Sequence, residues 1–410
     1  MSRINDRLGQ LTPEQRQALR QRLARRDRYQ QDTPDASGPP PQAPDIRLSL
    51  YFFPQAGAYA TADYYAMLLS ACELADERGF HAAWFPERHF VDFGGSHPNP
   101  ALLAGAVAAR TRRLRLRAGS VAAPLHHPVR IAEEWSVVDN LSGGRVGVSF
   151  ASGWHPDDFV LARDPYDERK KTMMRTAEQV RRLWAGERLT FPSATGGPAE
   201  VAVQPRPVQP ELPVWITAAG NPETFQAAGT AGYGVMTALL GQTLGQLRDN
   251  IARYRAARHS AGHPGTGDVV VMTHAHVSDA PDHEERLRPA LHGYLASYRA
   301  QTGDGDEKVL LEAAFQDYLA GPSLLGTPAK AASVLARLAE AGADEVGCLI
   351  DFGLPPRDVL DGLPRLVDLL PHSAGPSTAG PVEVRPSTPR PADAHYTAPR
   401  SGSAHGDRNE

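Results

Sequence analysis

Residues 84 to 95, WFPERHFVDFGG, run from an apolar stretch straight into Pro86, Glu87, Arg88, His89 and Phe90 with no turn spacer. A carboxylate, a guanidinium and an imidazole at consecutive positions can hold an anion or move a proton. Arg88 cannot serve as a base, because its guanidinium stays protonated. An imidazole can change charge near neutral pH, so His89 reads either as a group that positions a reactant or as a structural residue between Arg88 and Phe90. A second stretch, VWITAAGNPETFQAAG at 214 to 229, sets Gly220, Asn221 and Pro222 directly before a helical pattern. Free amides around Glu223 and Thr224, aided by the helix dipole, would receive a phosphate or another anion, although Asn-Pro-Glu-Thr also caps ordinary helices. His274-x-His276 has the spacing of a ligand pair, but no third ligand is evident and no metal is expected. Asp351-Phe352-Gly353 lacks the other motifs of a kinase and reads as a strand end.

These residues need a scaffold, and the hydrophobic pattern supplies one. Strand-like runs occur at 48–53, 82–86, 114–121, 145–150, 214–218, 234–239, 268–277 and 345–350, each followed by a helical pattern such as 64–79, 127–143 or 327–342. No glycine-rich nucleotide fingerprint and no Walker motif follows the first strand. Eight β-α units therefore predict an α/β fold, a (β/α)8 TIM-like barrel. Its Pro/Gly-rich insertion after the fourth unit, at 185 to 213, is expected near the active-site rim. In such barrels chemistry sits where strands end. Glu87, Arg88 and His89 fall at the end of the second strand, Gly119-Ser120 at the third and Ser152, Gly153 and Trp154 at the fourth. His274 and His276 on the seventh are expected at the same mouth.

The 410 residues are 41% hydrophobic with a net charge of −4, which suits a sizeable core and argues against a nucleic-acid or membrane surface. Cys72 and Cys348 stand far apart, so a disulfide framework is not expected, and a cytoplasmic location is the default. Thr12-Pro13-Glu14-Gln15 reads as the start of an N-terminal basic helix within residues 1–28, whose arginines form a solvated face or a docking element. A Pro-rich linker at 29–45 leads into the barrel at 46–371. Residues 372–410 have the composition of a disordered tail.

Taken together, PERHFVDFGG, HPNP (97–100), AGSVAAPLHHPVRIAEEWSVVDNLSGGR (118–145), SFASGWHPDDF (149–159) and SLLGTP (323–328) resemble the bacterial-luciferase-like flavin monooxygenases. The resemblance is strongest to the branch found in polyketide and nonribosomal-peptide biosynthesis, and it spans roughly residues 46 to 370. It implies a barrel binding reduced FMN at its C-terminal mouth, and a cis peptide at Gly119-Ser120 beneath the flavin ring. His126-His127 reads as rim structure, with His126 a candidate flavin contact. Three departures stand out. Arg88 replaces the histidine tied to aldehyde oxidation, Ser152 replaces a phosphate-binding arginine, and Ala219-Gly220 replace a Glu-Ser pair. The phosphate anchor is thereby expected to shift to Gly220, Asn221, Thr224 and an arginine elsewhere.

The function these observations imply is a reduced-FMN- and O2-dependent monooxygenase fed by a separate flavin reductase. Its substrate is expected to be an acyl or aminoacyl group held by a carrier protein or synthase, with a homodimer one possible assembly. The alternatives are an F420-dependent oxidoreductase on the same barrel, or a flavin-binding or docking protein without turnover.

Overall fold

The structure, a computed structural model, describes residues 45–162, 164–302 and 308–369. The expected N-terminal helix, all of the linker but Asp45, and the tail lie outside the described residues.

Eight parallel strands close into a barrel: β1 (Arg47–Tyr51), β2 (Ala82–Phe85), β3 (Arg115–Ala122), β4 (Val146–Ala151), β7 (Val214–Ala218), β8 (Gly234–Ala238), β9 (Val269–Val277) and β11 (Glu345–Leu349). Closure comes from β11 pairing with both β1 and β9, Leu48 facing Val346 on one side and Val271 facing Val346 on the other. Strands covered on both faces must be apolar almost throughout, which is why runs such as VVVMT in β9 do not alternate. Each of these eight strands lies within two residues of its expected place. A short strand, β10 (Leu324–Gly326), extends the pairing at the end of β9.

Helices α1 (Thr61–Arg78), α2 (Pro100–Ala108), α3 (Pro128–Ser142), α4 (Arg169–Ala185), α5 (Pro222–Thr230), α6 (Leu244–Ser260), α7 (His283–Thr302), α8 (Lys308–Ala320), α9 (Pro328–Glu340) and α10 (Pro356–Val367) wrap the barrel. Several start where the sequence says they must. Asn99 accepts hydrogen bonds from the amides of Ala101 and Leu102 at 2.9 and 3.2 Å, and Thr327 accepts from Lys330 at 3.3 Å. Each has a proline as the first helical residue, where its missing N–H costs nothing.

The insertion after the fourth unit carries a hairpin of β5 (Leu189–Pro192) and β6 (Pro198–Val201). It is tied to α3, where the Asp139 carboxylate accepts from the amides of Val208 and Gln209 at 2.7 and 2.9 Å.

The barrel interior is polar at its N-terminal end. Glu345 is fully buried and accepts from Arg117 Nη1 at 2.9 Å, Ser49 Oγ at 2.6 Å and Trp84 Nε1 at 2.8 Å. The Arg117 guanidinium lies over the rings of Trp84 and Trp215, 4.9 and 4.4 Å from their centroids. Burial alone would raise the Glu345 carboxyl, but Arg117 and the other cations and donors around it bring it down to about 2. This plug fills the floor and leaves the other end of the barrel open for a site. Glu345→Gln leaves Arg117 buried without its counter-charge, so chemical denaturation should report a loss of roughly 3–5 kcal/mol.

Candidate active site

A cavity of about 570 Å3 opens at the C-terminal ends of the strands. Of the residues expected at the site, Glu87, Arg88, His89, Gly119, Ser120, Ser152, Gly153, Trp154, Ala219, Asn221 and Thr224 line it. His126 and Gly220 do not.

Glu87 is the organising group on one wall. Its Oε1 accepts from His89 Nε2 at 2.8 Å and from His126 Nε2 at 2.6 Å, while Oε2 accepts from the Ala122 amide at 2.9 Å. The carboxylate is 1% exposed, and His89 and His126 are 11% and 26% exposed. Burial pushes the Glu87 carboxyl up, but the imidazole hydrogen bonds and the Ala122 amide outweigh it and hold the group below its usual range. Burial likewise pushes His126 down, and its bond to Glu87 outweighs this, so His126 keeps its proton to higher pH than a free imidazole. His126 is thus held against Glu87, behind the lining.

Arg88 does not point at an anion in the cavity. Its Nη1 donates to Asp158 at 2.6 Å with both side chains buried, and its guanidinium lies 5.0 Å from the Trp154 ring centroid. Trp154 in turn stacks on Tyr298 of α7 at 5.9 Å, making an aromatic wall at the mouth. Asp158 belongs to the GWHPDDF motif, which links the end of β4 to the end of β2.

At the end of β3 the Gly119–Ser120 peptide is cis, as the resemblance implied. Tyr51 donates to the Gly119 carbonyl, and Thr217 at the end of β7 pairs with Ser120 and, at 2.8 Å, with Ser149. These bonds set the cavity floor.

On another side, Phe53 packs edge-on against Phe93 at 5.0 Å, and Phe93 against Tyr294 at 5.1 Å. Behind this wall Asp351 accepts from the Phe53 amide and the Tyr64 hydroxyl, both at 2.8 Å. The DFG triplet is therefore a strand end, and its Asp fixes Phe53.

Two sequence expectations are corrected at the helix start after β7. The amides of Glu223 and Thr224 do not stand free, because Asn221 Oδ1 accepts both, at 2.9 and 3.1 Å, as an ordinary helix cap does. Gly220, at φ 90°, turns onto a second hollow with Gln242, Asn250 and Arg253. Besides Arg88, the cavity lining carries one more cation, Lys170 at the start of α4, which among the described residues makes no ion pair or hydrogen bond. Lys170, with Met173 and Met174 one turn on, was missed because only the end of the preceding strand, and not the start of a distant helix, was read as site.

The strand-nine histidines are also corrected. His274 is buried against Tyr294, Tyr318 and Phe352, and His276 contacts His283 at 3.2 Å and the Asp358 carbonyl, so neither lines the cavity. No residue of the 185–213 insertion lines the cavity either, but Phe191 of its hairpin packs against His127 with ring centroids 4.8 Å apart, so the insertion reaches the rim beside His126.

A parallel barrel with a strand-end cavity, a cis Gly-Ser and a carboxylate clasping two imidazoles defines the class. The Luciferase-like monooxygenase family matches residues 46–345, and the chain belongs to that family. It is 26% identical over 227 residues to the flavin-dependent trigonelline monooxygenase oxygenase component of Acinetobacter baylyi, covering 53% of this chain and 61% of that one. It is 29% identical over 235 residues to 4-hydroxyprotoasukamycin monooxygenase of Streptomyces nodosus subsp. asukaensis, covering 55% and 62%. The matches thus span about three fifths of each relative. The crystal structure of monooxygenase RslO1 from Streptomyces bottropensis superposes with a TM-score of 0.69 at 27% identity, covering 79% of this chain and 98% of that one.

Burial raises Asp351 to about 7 from 3.8. A carboxyl with a raised folded pKa contributes stability that is full below its unfolded pKa and is lost as pH rises through the folded one. Stability should therefore fall by a few kcal/mol between about pH 4 and pH 7 on this account. Asp351→Asn should flatten that slope in urea denaturation at stepped pH.

Proposed function

We propose that the chain is the oxygenase component of a two-component flavin monooxygenase that takes reduced FMN from a separate reductase and acts in secondary-metabolite biosynthesis on an acyl or aminoacyl group borne by a carrier protein. The observation that carries this reading is the cavity. It is a strand-end hollow walled by Phe53, Phe93, Met173, Met174, Leu240 and Met272, with polar groups such as Glu87, His89, Ser120 and Thr224 among them. Such a lining suits a flat, mostly apolar ring system with a few fixed polar contacts. Relatives whose names include flavin-dependent and natural-product monooxygenases support the assignment.

The residues fit FMN. Lys170 is a cation without a partner among the described residues, and Thr224 offers a hydroxyl on the same lining, so the two would hold the phosphate. The ring would lie against Gly119, Ser120 and Ala122. Bound reduced FMN supplies the electrons that activate O2. The protein's part is to orient, to exclude water and to manage protons. Trp154, Tyr298, Phe93 and Phe53 keep the site dry, which strengthens every charge interaction within it. Glu87 stays ionised and, by accepting from His89 Nε2, fixes the ring of His89 on the lining. Arg88, already neutralised by Asp158, braces Trp154.

A carrier-borne substrate would present its acyl end through the mouth beside Trp154 and the exposed Phe90. Product formation should then be faster with the acyl-carrier form than with the free acid, and the reverse preference would discard the carrier.

Binding titrations separate the cofactors. FMN should bind the wild-type chain in preference to F420, and Lys170→Ala should weaken FMN about tenfold or more, the loss of one charge-assisted contact. Riboflavin, which lacks the phosphate, should bind wild type and variant alike. Stoichiometric F420 binding without FMN binding would overturn the flavin assignment, and an equal loss for riboflavin would take the phosphate away from Lys170.

A further inference from the structure

We propose that Glu87, His89 and His126 form a binding site for a divalent transition-metal ion of the zinc class, a role apart from the flavin reading. From sequence no metal is expected: His274 and His276 lack a third ligand, and His126-His127 reads as rim structure rather than a ligand pair.

Two imidazole nitrogens and one carboxylate oxygen lie within 4.8 Å of one another here. The three come from two places, Glu87 and His89 from the loop after β2 and His126 from the turn before α3, and the two meet only in the fold. The donor set is that of many zinc and non-haem metal sites, two neutral imidazoles and one carboxylate with further positions left open.

The proton arithmetic permits the exchange. Glu87 Oε1 can only accept, so in the metal-free chain both Nε2 atoms carry hydrogens. A metal ion needs their lone pairs. Among the described residues neither Nδ1 is a buried atom lacking a partner, so each ring can carry its hydrogen there instead. Binding then needs a change of tautomer in a neutral ring and the loss of one proton from a charged one. The geometric adjustment is also small. The Nε2 atoms stand 2.8 and 2.6 Å from Oε1. Ligand atoms at metal distances of about 2.0–2.2 Å in a tetrahedron are about 3.3 Å apart, so each donor withdraws by roughly half an ångström.

The carboxylate has the outer support that metal ligands require. Its Oε2 accepts from the Ala122 amide at 2.9 Å, which leaves Oε1 free to turn toward the ion. Glu87 and His89 line the cavity, so remaining coordination positions face a space where water or a substrate oxygen can enter. A lone exposed histidine pair would have none of this enclosure.

The test uses the full-length, flavin-free protein at pH 8, where free imidazoles are neutral. Calorimetric titration with Zn2+ should give one ion per chain with micromolar or tighter Kd, and Co2+ should give visible absorption bands that Zn2+ removes. His126→Asn, at a partly exposed position, should weaken Zn2+ at least tenfold, and His89→Asn likewise. Circular dichroism and a thermal melt confirm that each variant is folded. Absence of saturable binding by the wild type overturns the proposal. So does binding of unchanged stoichiometry and affinity in both variants, which would put the ion on other histidines of the 15 in the chain. Because no flavin is present, neither outcome depends on the cofactor assignment.

Discussion

The buried carboxylate of Glu87 is the constraint from which the rest of the site follows. An ionised group with 1% exposure is tolerable only if its oxygens are satisfied, and here two imidazoles and a backbone amide do so. Those partners come from the loop after β2, the end of β3 and the turn that opens α3. One charge thereby pins three pieces of chain to each other and decides where the wall of the cavity stands. The adjoining Arg88 repeats the principle, tying the same loop to the loop after β4 through Asp158.

The barrel sets these loops at its open end and closes the other with a second buried charge cluster. Glu345 and Arg117, sandwiched by Trp84 and Trp215, fill the floor where aliphatic side chains could also have packed. Buried ion pairs are weak contributors to net stability but strict in their geometry. Between the two clusters lies a mostly apolar hollow whose floor is Gly119, Ser120 and Thr217. A flavin-sized ring can be held there by shape, with charge reserved for its ends.

Much of the fold was legible because it rests on local chemistry. Runs such as VWITA and EVGCLI can only be strands covered on both sides, and Asn99, Thr327 and Asn221 announce helix starts. The strand-end rule then collected most of the site residues. What it missed lay in long-range pairing. Nothing near Arg88 in sequence says that Asp158 will neutralise it, and nothing near His126 says that Glu87 will accept from it. Lys170 reaches the cavity from the start of α4, across a stretch with no barrel strand of its own. From sequence the Asn221 turn allows either an anion cradle or an ordinary cap, and its side chain closes the amides of Glu223 and Thr224. His274 shows the opposite case: a polar residue at a strand end suggests a site residue, yet it is buried among aromatic rings.

The central claim is that this cavity handles reduced FMN and O2 in place of merely holding a flavin. Stopped-flow absorbance of the chain saturated with reduced FMN and mixed with O2 tests it most directly. The account predicts reoxidation that differs in rate from free reduced FMN and passes through a spectrum unlike either the reduced or the oxidised flavin. Reoxidation identical in rate and spectra to flavin in buffer would contradict it.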